Sequence, residues 1–429
     1  MSSTGRMALL GKLSKFRRNI FELLSERGME LRLILSARLV NLISSTQSNG
    51  YLIGPTNSAN QATLWARALA GGEENHGLAS SLRISADPSK EWFNADHVWN
   101  ISYRKQLDSR MQLLKDVFSP KRFILIESLS PLFAFRKQSK GFLPKFALDD
   151  IALLRRMGKR VGVVFHGSDI RDPQAHATRI PFSPFKREES ADVDSIETLI
   201  VKSGQTRSLL PLLRREKIPL FITTPDLFIE VPDAIWLPVV IDLPLFSEIA
   251  ERSPIFSTPK VRVLYLPSNS WIKSSALIVP VLKKLAMEGV IEFKDWVENG
   301  SVTHDRVPEL LEESDIVIDQ FIGATGVFAV EAAAAGRILF TYIDEFHAGN
   351  PVVPHVQVTP GTLETELRRI ARDREKAVMR AQVVESHSGV PVLVMQDVPV
   401  SVGIAAAKDF VKFYHDGSFS VKVIHETLG

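Results

Sequence analysis

The stretch from residue 314 to 343, SDIVIDQFIGATGVFAVEAAAAGRILFTYI, admits few folds. An apolar run, Ile316 to Ile318, stops at Asp319. A loop carrying Gly323 and Gly326 follows, then a small-residue helix over 327–335 closed by Gly336. A second apolar run covers 338–343. Strand, glycine loop, helix and strand make a βαβ unit. In such a unit the loop before the helix is where phosphate binds, because its backbone N–H groups and the positive end of the helix dipole face the ligand. Gly326, Val327 and Phe328 would offer those N–H groups, and Glu331, one turn into the helix, would accept from the hydroxyls of a ribose. The plainer readings are a simple turn at Gly326 and a first-turn glutamate that stabilises the helix dipole by about 0.3–1 kcal/mol.

The rest of the chain repeats the alternation. Short apolar runs at 51–53, 123–127, 160–166, 220–222 and 235–239 read as strands, with helices over 62–70 and 145–157. A second series starts at 261–266 and continues with a helix over 275–288, a strand at 291–296 and a helix over 307–314. This pattern predicts an α/β protein with two doubly wound, Rossmann-like domains facing a central cleft. Pro244, Pro254 and Pro259 with several serines mark 242–260 as an interdomain linker, and 171–195 reads as a long surface loop. The expected units are an amino-terminal extension at 1–48, domains at 49–245 and 246–400, and a helical tail at 401–429 with a helix over 402–413. At 429 residues, two domains are the default.

Composition excludes several chemistries. There is no cysteine, which removes disulfides, thiolate catalysis and cysteine metal sites. No apolar run approaches the ~18–20 residues of a membrane helix, and no signal peptide is legible, so a cytoplasmic protein is expected. Asp192 and Asp194 form an Asp-x-Asp pattern in hydrophilic surroundings and read as surface charge; Asp149 and Asp150 read as helix residues. No group of His, Asp and Glu has metal-ligand spacing, so neither metal nor cofactor is expected. The net charge of +3 is uneven: residues 1–45 hold eight basic and three acidic residues, a local +5. Leu23, Leu24, Leu31, Ile34, Leu35 and Leu42 recur there at helical spacing. That basic amphipathic pattern fits a helix packed on its own domain or on a partner, or one lying on an anionic membrane. Nucleic-acid binding is not expected, since few aromatics interleave with the basic residues.

Four stretches resemble the GT-B glycosyltransferases, in particular the large retaining group called family 4 or group 1. They are Trp236-Leu237-Pro238-Val239-Val240-Ile241-Asp242, the loop from Leu266 to Ser274 with Lys273 before a small residue, the strand Asp315-Ile316-Val317-Ile318-Asp319-Gln320, and the helix Gly326 to Ala332 with Gly336. Phe165-His166-Gly167-Ser168-Asp169 is similar to the "HGSD" turn of a bacterial subgroup. The resemblance implies a glycosyltransferase that takes sugar from a nucleotide-diphosphate sugar, with retention and without metal. Polysaccharide, glycolipid or cell-envelope synthesis is the implied setting, and the acceptor stays open as sugar, lipid or protein. It implies Lys273 at the leaving diphosphate, and His166 and Asp169 at the donor sugar or acceptor. Asn57 and Asn60 would face the diphosphate from the opposite domain. One position departs from the pattern: where the family carries an acidic residue eight positions before Glu331, this chain has Gly323, and Asp319 is the nearest upstream carboxylate. Two alternatives stay open, a sugar-nucleotide epimerase and a non-catalytic binding or scaffolding subunit with the same fold.

Overall fold

The computed structural model describes residues 49–71, 78–85, 93–100, 109, 112–113, 117–118, 121–133, 145–186, 193–298, 302–344, 350–374, 378–387 and 390–429. The basic segment at 1–45 lies outside them.

Two parallel sheets carry the chain. The first comprises β1 (Gly50–Gly54), β2 (Ala79–Ser85), β3 (His97–Asn100), β4 (Lys121–Glu127), β5 (Arg160–Phe165), β6 (Leu220–Ile222) and β7 (Ile235–Trp236), in the order β3-β2-β1-β4-β5-β6-β7. The second comprises β8 (Val261–Tyr265), β9 (Ile291–Phe293), β10 (Ile316–Ile318), β11 (Ile338–Thr341) and β12 (Val356–Gln357), in the order β12-β11-β10-β8-β9. An antiparallel ribbon of β13 (Val378–His387) and β14 (Val390–Pro399) follows. The central strands, such as β5 and β10, are continuous apolar runs because a parallel sheet is covered on both faces. In the first sheet, Leu52, Ile124, Val163 and Ile222 pack into one layer and Tyr51, Phe123, Val164 and Phe221 into the other. In the second, Val263, Tyr265, Ile316 and Phe340 face one layer while Leu264, Val317 and Leu339 face the opposite one.

Two segments expected to be irregular are helical. The proposed linker contains the helix Leu243–Arg252, whose cap Asp242 accepts the Leu245 N–H at 3.3 Å. Pro244 opens this helix rather than breaking it, as proline does in a first turn. The supposed surface loop contains the helix Pro173–Arg179, capped by Asp172, and the start of a 23-residue helix, Val193–Arg215. Asp194 therefore sits in a helix first turn, and Asp192 lies outside the described residues. The tail forms two helices. Val400–Tyr414 packs on the helix Val327–Ala334, and Ser418–Leu428 returns to the first sheet's helix Gln61–Leu69. There His425 Nδ1 lies 2.7 Å from the Tyr51 hydroxyl.

Candidate nucleotide-binding cleft

In each sheet the chain order reverses beside the first strand, between β1 and β4 and between β8 and β10. Open parallel sheets bind ligands outside the carboxyl ends of the strands at that switch point. Here each switch point holds a buried carboxylate, Glu127 at the end of β4 and Asp319 just past β10.

A cleft of about 590 Å³ opens at the second sheet's switch point. That volume lies within the range of ligand pockets, roughly 300–1,000 Å³. Its walls include Lys273 and Ser270 from the loop after β8, Gly326, Val327, Phe328 and Glu331 from the loop and helix after β10, and Trp296, Val297, Val302 and His304. Ala59 and Phe93 reach it from the first sheet's side. Apolar walls with a few convergent polar groups suit an aromatic base beside a charged tail.

Asp319 organises the polar end. Its Oδ1 accepts from Lys273 Nζ at 2.5 Å and its Oδ2 from the Gly326 N–H at 2.8 Å. Two sequence expectations change as a result. Asp319 is fully buried behind the cleft and positions other groups, and the Gly326 N–H is already spent on it. Val327 and Phe328 begin the helix, where N–H groups have no partner within the helix itself. The Lys273 loop is held by the Tyr265 hydroxyl, which donates to the Lys273 carbonyl at 3.0 Å and lies 2.8 Å from Ser275 Oγ.

Glu331 is 3% exposed and accepts from His304 Nε2 at 2.7 Å. Burial lowers the His304 pKa, but the hydrogen bond and charge of Glu331, with the charge of Asp305, raise it above the ordinary histidine value. Phe93 meets the imidazole edge-on, with ring centroids 5.1 Å apart. No sequence pattern singled out His304, because only the folded chain carries it across to Glu331.

The first sheet's switch point is separately built. Glu127 accepts the N–H groups of Thr56, Asn57 and Ser58 at 2.8, 2.7 and 3.2 Å, and His166 Nε2 lies 3.1 Å from its Oε1. The loop that follows β1 thus directs the N–H groups of Thr56, Asn57 and Ser58 at a protein carboxylate, while Ala59 of the same loop lines the cleft. Asn57 is buried in a left-handed conformation, and its side-chain oxygen accepts the Thr63 N–H at 3.2 Å; Asn60 precedes the helix Gln61–Leu69 in the same left-handed region, without a side-chain bond to the helix end. Asp169 receives the N–H groups of His166 and Gly167 at 2.8–3.1 Å and so holds this turn. Arg171 is buried against Asp226. His166, Asp169, Asn57 and Asn60 do not line the cleft, whereas Lys273, Gly326, Val327, Phe328 and Glu331 do. Glu127 had one sequence signal, a charged residue closing the apolar run Phe123-Ile124-Leu125-Ile126.

The strap after β5 bridges the two units. His176 Nε2 donates to the Ile322 carbonyl at 2.8 Å, Arg179 Nε donates to Asp344 at 2.5 Å, and Phe182 packs edge-on to Tyr342 at 4.7 Å. Gly323 sits inside this contact at φ +82°, and a Cβ there would lie 3.1 Å from Asp344 Cβ. An acidic side chain at that position is therefore disfavoured by backbone and packing together. Among the described residues, no helix is long and apolar enough to cross a membrane and no group of acidic or histidine residues is placed to hold a metal ion.

No family model and no curated protein sequence matches this chain. Solved structures do. Anabaena HepE in complex with UDP and glucose is 13% identical, with 89% of this chain and 99% of that chain covered at a TM-score of 0.51. Sucrose-phosphate synthase from Thermosynechococcus elongatus is 10% identical over 88% of this chain and 98% of that one, at 0.49. The architecture is the GT-B fold, two Rossmann-like units facing a cleft.

Proposed function

We propose that the protein is a glycosyltransferase that binds a nucleotide-diphosphate sugar in the cleft lined by Lys273 and the start of the helix Val327–Ala334. The observation that carries this reading is the convergence of a cation, helix N–H groups and an apolar wall on one 590 Å³ space at a switch point. Lys273 and the helix N-terminus offer fixed positive charge to a leaving diphosphate, and such preorganised charge accelerates departure of the group. The base lies against Trp296, Val297 and Val302, and the ribose turns toward the Glu331–His304 pair. Metal independence is part of the proposal because the cation and helix dipole offer the charge a metal would bring. Retention and an envelope polysaccharide or glycolipid product come from the family resemblance. The bound HepE ligands, UDP and glucose, are of the same chemical kind.

A nucleotide-sugar panel read by thermal shift and calorimetry tests the reading. A hit whose stabilisation disappears in Lys273→Ala supports it; no hit among uridine, cytidine, adenosine and guanosine diphosphate sugars sinks it. Gly323 favours a second reading, a subunit that binds nucleotide without transfer. Tight binding with no product from any acceptor would favour that one, and conversion of donor without acceptor would favour an epimerase. Residues 1–45 are proposed to hold the protein peripherally on the inner face of an anionic membrane; unchanged vesicle association after their deletion would remove that role.

A further inference from the structure

The Glu331–His304 pair is asymmetric toward the cleft. Both residues line it, but the Glu331 side chain is 4% exposed and that of His304 is 36% exposed. Nε2 of His304 lies 2.7 Å from Glu331 Oε1, so this nitrogen points inward and Nδ1 is the one left for other partners. Phe93, from the first sheet's side, braces the ring. We infer that His304 is the group that touches the bound nucleotide, at a hydroxyl or phosphate oxygen, and that Glu331 is the positioning residue behind it. This inference rests on the nucleotide-sugar reading above.

The physical argument is one of displacement. A carboxylate so deeply buried is costly unless it is paired, and His304 is its partner in the unliganded protein. A ribose hydroxyl that bound Glu331 Oε1 would have to remove the imidazole and exchange an ion-paired hydrogen bond for one from an uncharged donor. A ligand that meets the imidazole leaves that bond in place. The protonated ring donates from both nitrogens, inward to Glu331 and outward to ligand oxygen. Among the described residues, the charged groups bearing on the ring are Glu331 and its neighbour Asp305, and the ring contact from the first sheet's side is the apolar Phe93. Together the two carboxylates keep the ring protonated to higher pH than an ordinary histidine, against the effect of burial. Nucleotide affinity should therefore fall as pH rises and the ring loses its proton.

The test uses UDP-glucose, ADP-glucose, CDP-glucose and GDP-mannose in calorimetric titrations of the full chain from about pH 5.5 to about pH 8.5, a window centred near the ordinary histidine value. Their diphosphate is a diester with no proton to lose in that window. For a sugar nucleotide that binds, wild-type affinity should fall about tenfold across the window, the scale of one charge-assisted hydrogen bond. Glu331→Gln should bind but show the fall at lower pH. His304→Gln should give a flat profile at the wild-type alkaline affinity. A His304→Gln profile identical to wild type overturns the inference while leaving the nucleotide site standing. So does loss of binding in Glu331→Gln with retention in His304→Gln, which would put Glu331 itself on the ligand. Binding of none of the four overturns both readings. A measurement on wild-type protein guards against a variant that fails to fold. The imidazole proton resonance of His304 should shift, and its titration midpoint rise, on adding the bound sugar nucleotide; an unmoved resonance sinks the inference.

Discussion

Asp319 ties Lys273 to the start of the helix Val327–Ala334, accepting from the lysine ammonium with one oxygen and from the Gly326 N–H with the other, at 2.5 and 2.8 Å. The two loops so joined follow adjacent strands, β8 and β10, and one buried charge sets the spacing between the cation and the helix N-terminus. Asp319→Ala leaves the 12% exposed Lys273 and the Gly326 N–H without this partner. Breaking one side of a buried pair costs about 3–5 kcal/mol. Asp319→Asn keeps an acceptor for Gly326 and should cost less. Urea unfolding of the three proteins checks the order; equal stabilities would show that the carboxylate does not organise the loops.

Gly323 carries the second prediction. Restoring the acidic residue that the family pattern expects, as Gly323→Glu, places an L side chain at φ +82°, which costs about 1–2 kcal/mol. The new Cβ also presses on Asp344, which is already paired with Arg179. A loss of about 2 kcal/mol or more, without gain in transfer, is expected. A stable variant with raised transfer would show that the site had merely lost a catalytic carboxylate.

Much of the architecture was legible because buried parallel strands are continuous apolar runs, and 316–318 or 161–165 admit little else. The βαβ unit likewise announced the loop at Gly326 and the residues Val327, Phe328 and Glu331 that reach the cleft. Prolines were the main source of error. Pro244 reads as part of a linker and 171–195 as a loop, but Pro173 and Pro244 each stand in the first turn of a helix capped by an aspartate. The pairings of the site were beyond reach for a different reason. Glu127 is separated from Thr56 by 71 residues and Glu331 from His304 by 27, and no local pattern encodes a hydrogen bond closed by the fold. The same reasoning explains Asp169 and Asn57. Their types suit both ligand binding and turn formation, and only the geometry shows that their oxygens are already taken by backbone N–H groups.

Two buried histidines should make the protein acid-labile. His176, which fastens the strap to Ile322, and His415, whose Nδ1 donates to the Val239 carbonyl at 2.7 Å, are both held down to about 4, chiefly by burial. Each is neutral in the fold, so the unfolded chain binds more protons between about pH 6.5 and about pH 4, and stability falls as pH drops through that window. A shift of this size is worth roughly 3 kcal/mol per histidine at the acid limit. His176→Gln should flatten part of the decline in urea unfolding measured from pH 7 downward. An unchanged slope would place the acid sensitivity elsewhere.

The Glu127–His166 pair should act in the opposite sense at its alkaline edge. Burial pushes the Glu127 pKa up, but the hydrogen bond and charge of His166 and the N–H groups of Asn57 and Thr56 outweigh it and bring it below the ordinary value. Burial likewise lowers His166, and the bond and charge of Glu127, with Asp169, carry it above the ordinary value. A carboxylate with a depressed pKa contributes stability above its unfolded value and loses it as pH falls through the folded one. A histidine with a raised pKa contributes fully below its unfolded value, about 6.5, and loses that share as pH rises through the folded value. The pair is therefore strongest between the two unfolded pKa values and weakens toward either side. Glu127→Gln keeps an acceptor for the Thr56 and Asn57 N–H groups but removes the charge, so both edges should flatten. The cost in mid-window should be about 2–4 kcal/mol, because a buried imidazolium would lose its counter-charge. His166→Gln should flatten the alkaline edge while the acid edge, still fed by the three N–H groups on Glu127, persists. Urea midpoints from about pH 2.5 to about pH 9, spanning both edges, for the wild type, both variants and the double variant decide the matter. Additive losses in the double variant would show that the two groups do not act as a pair.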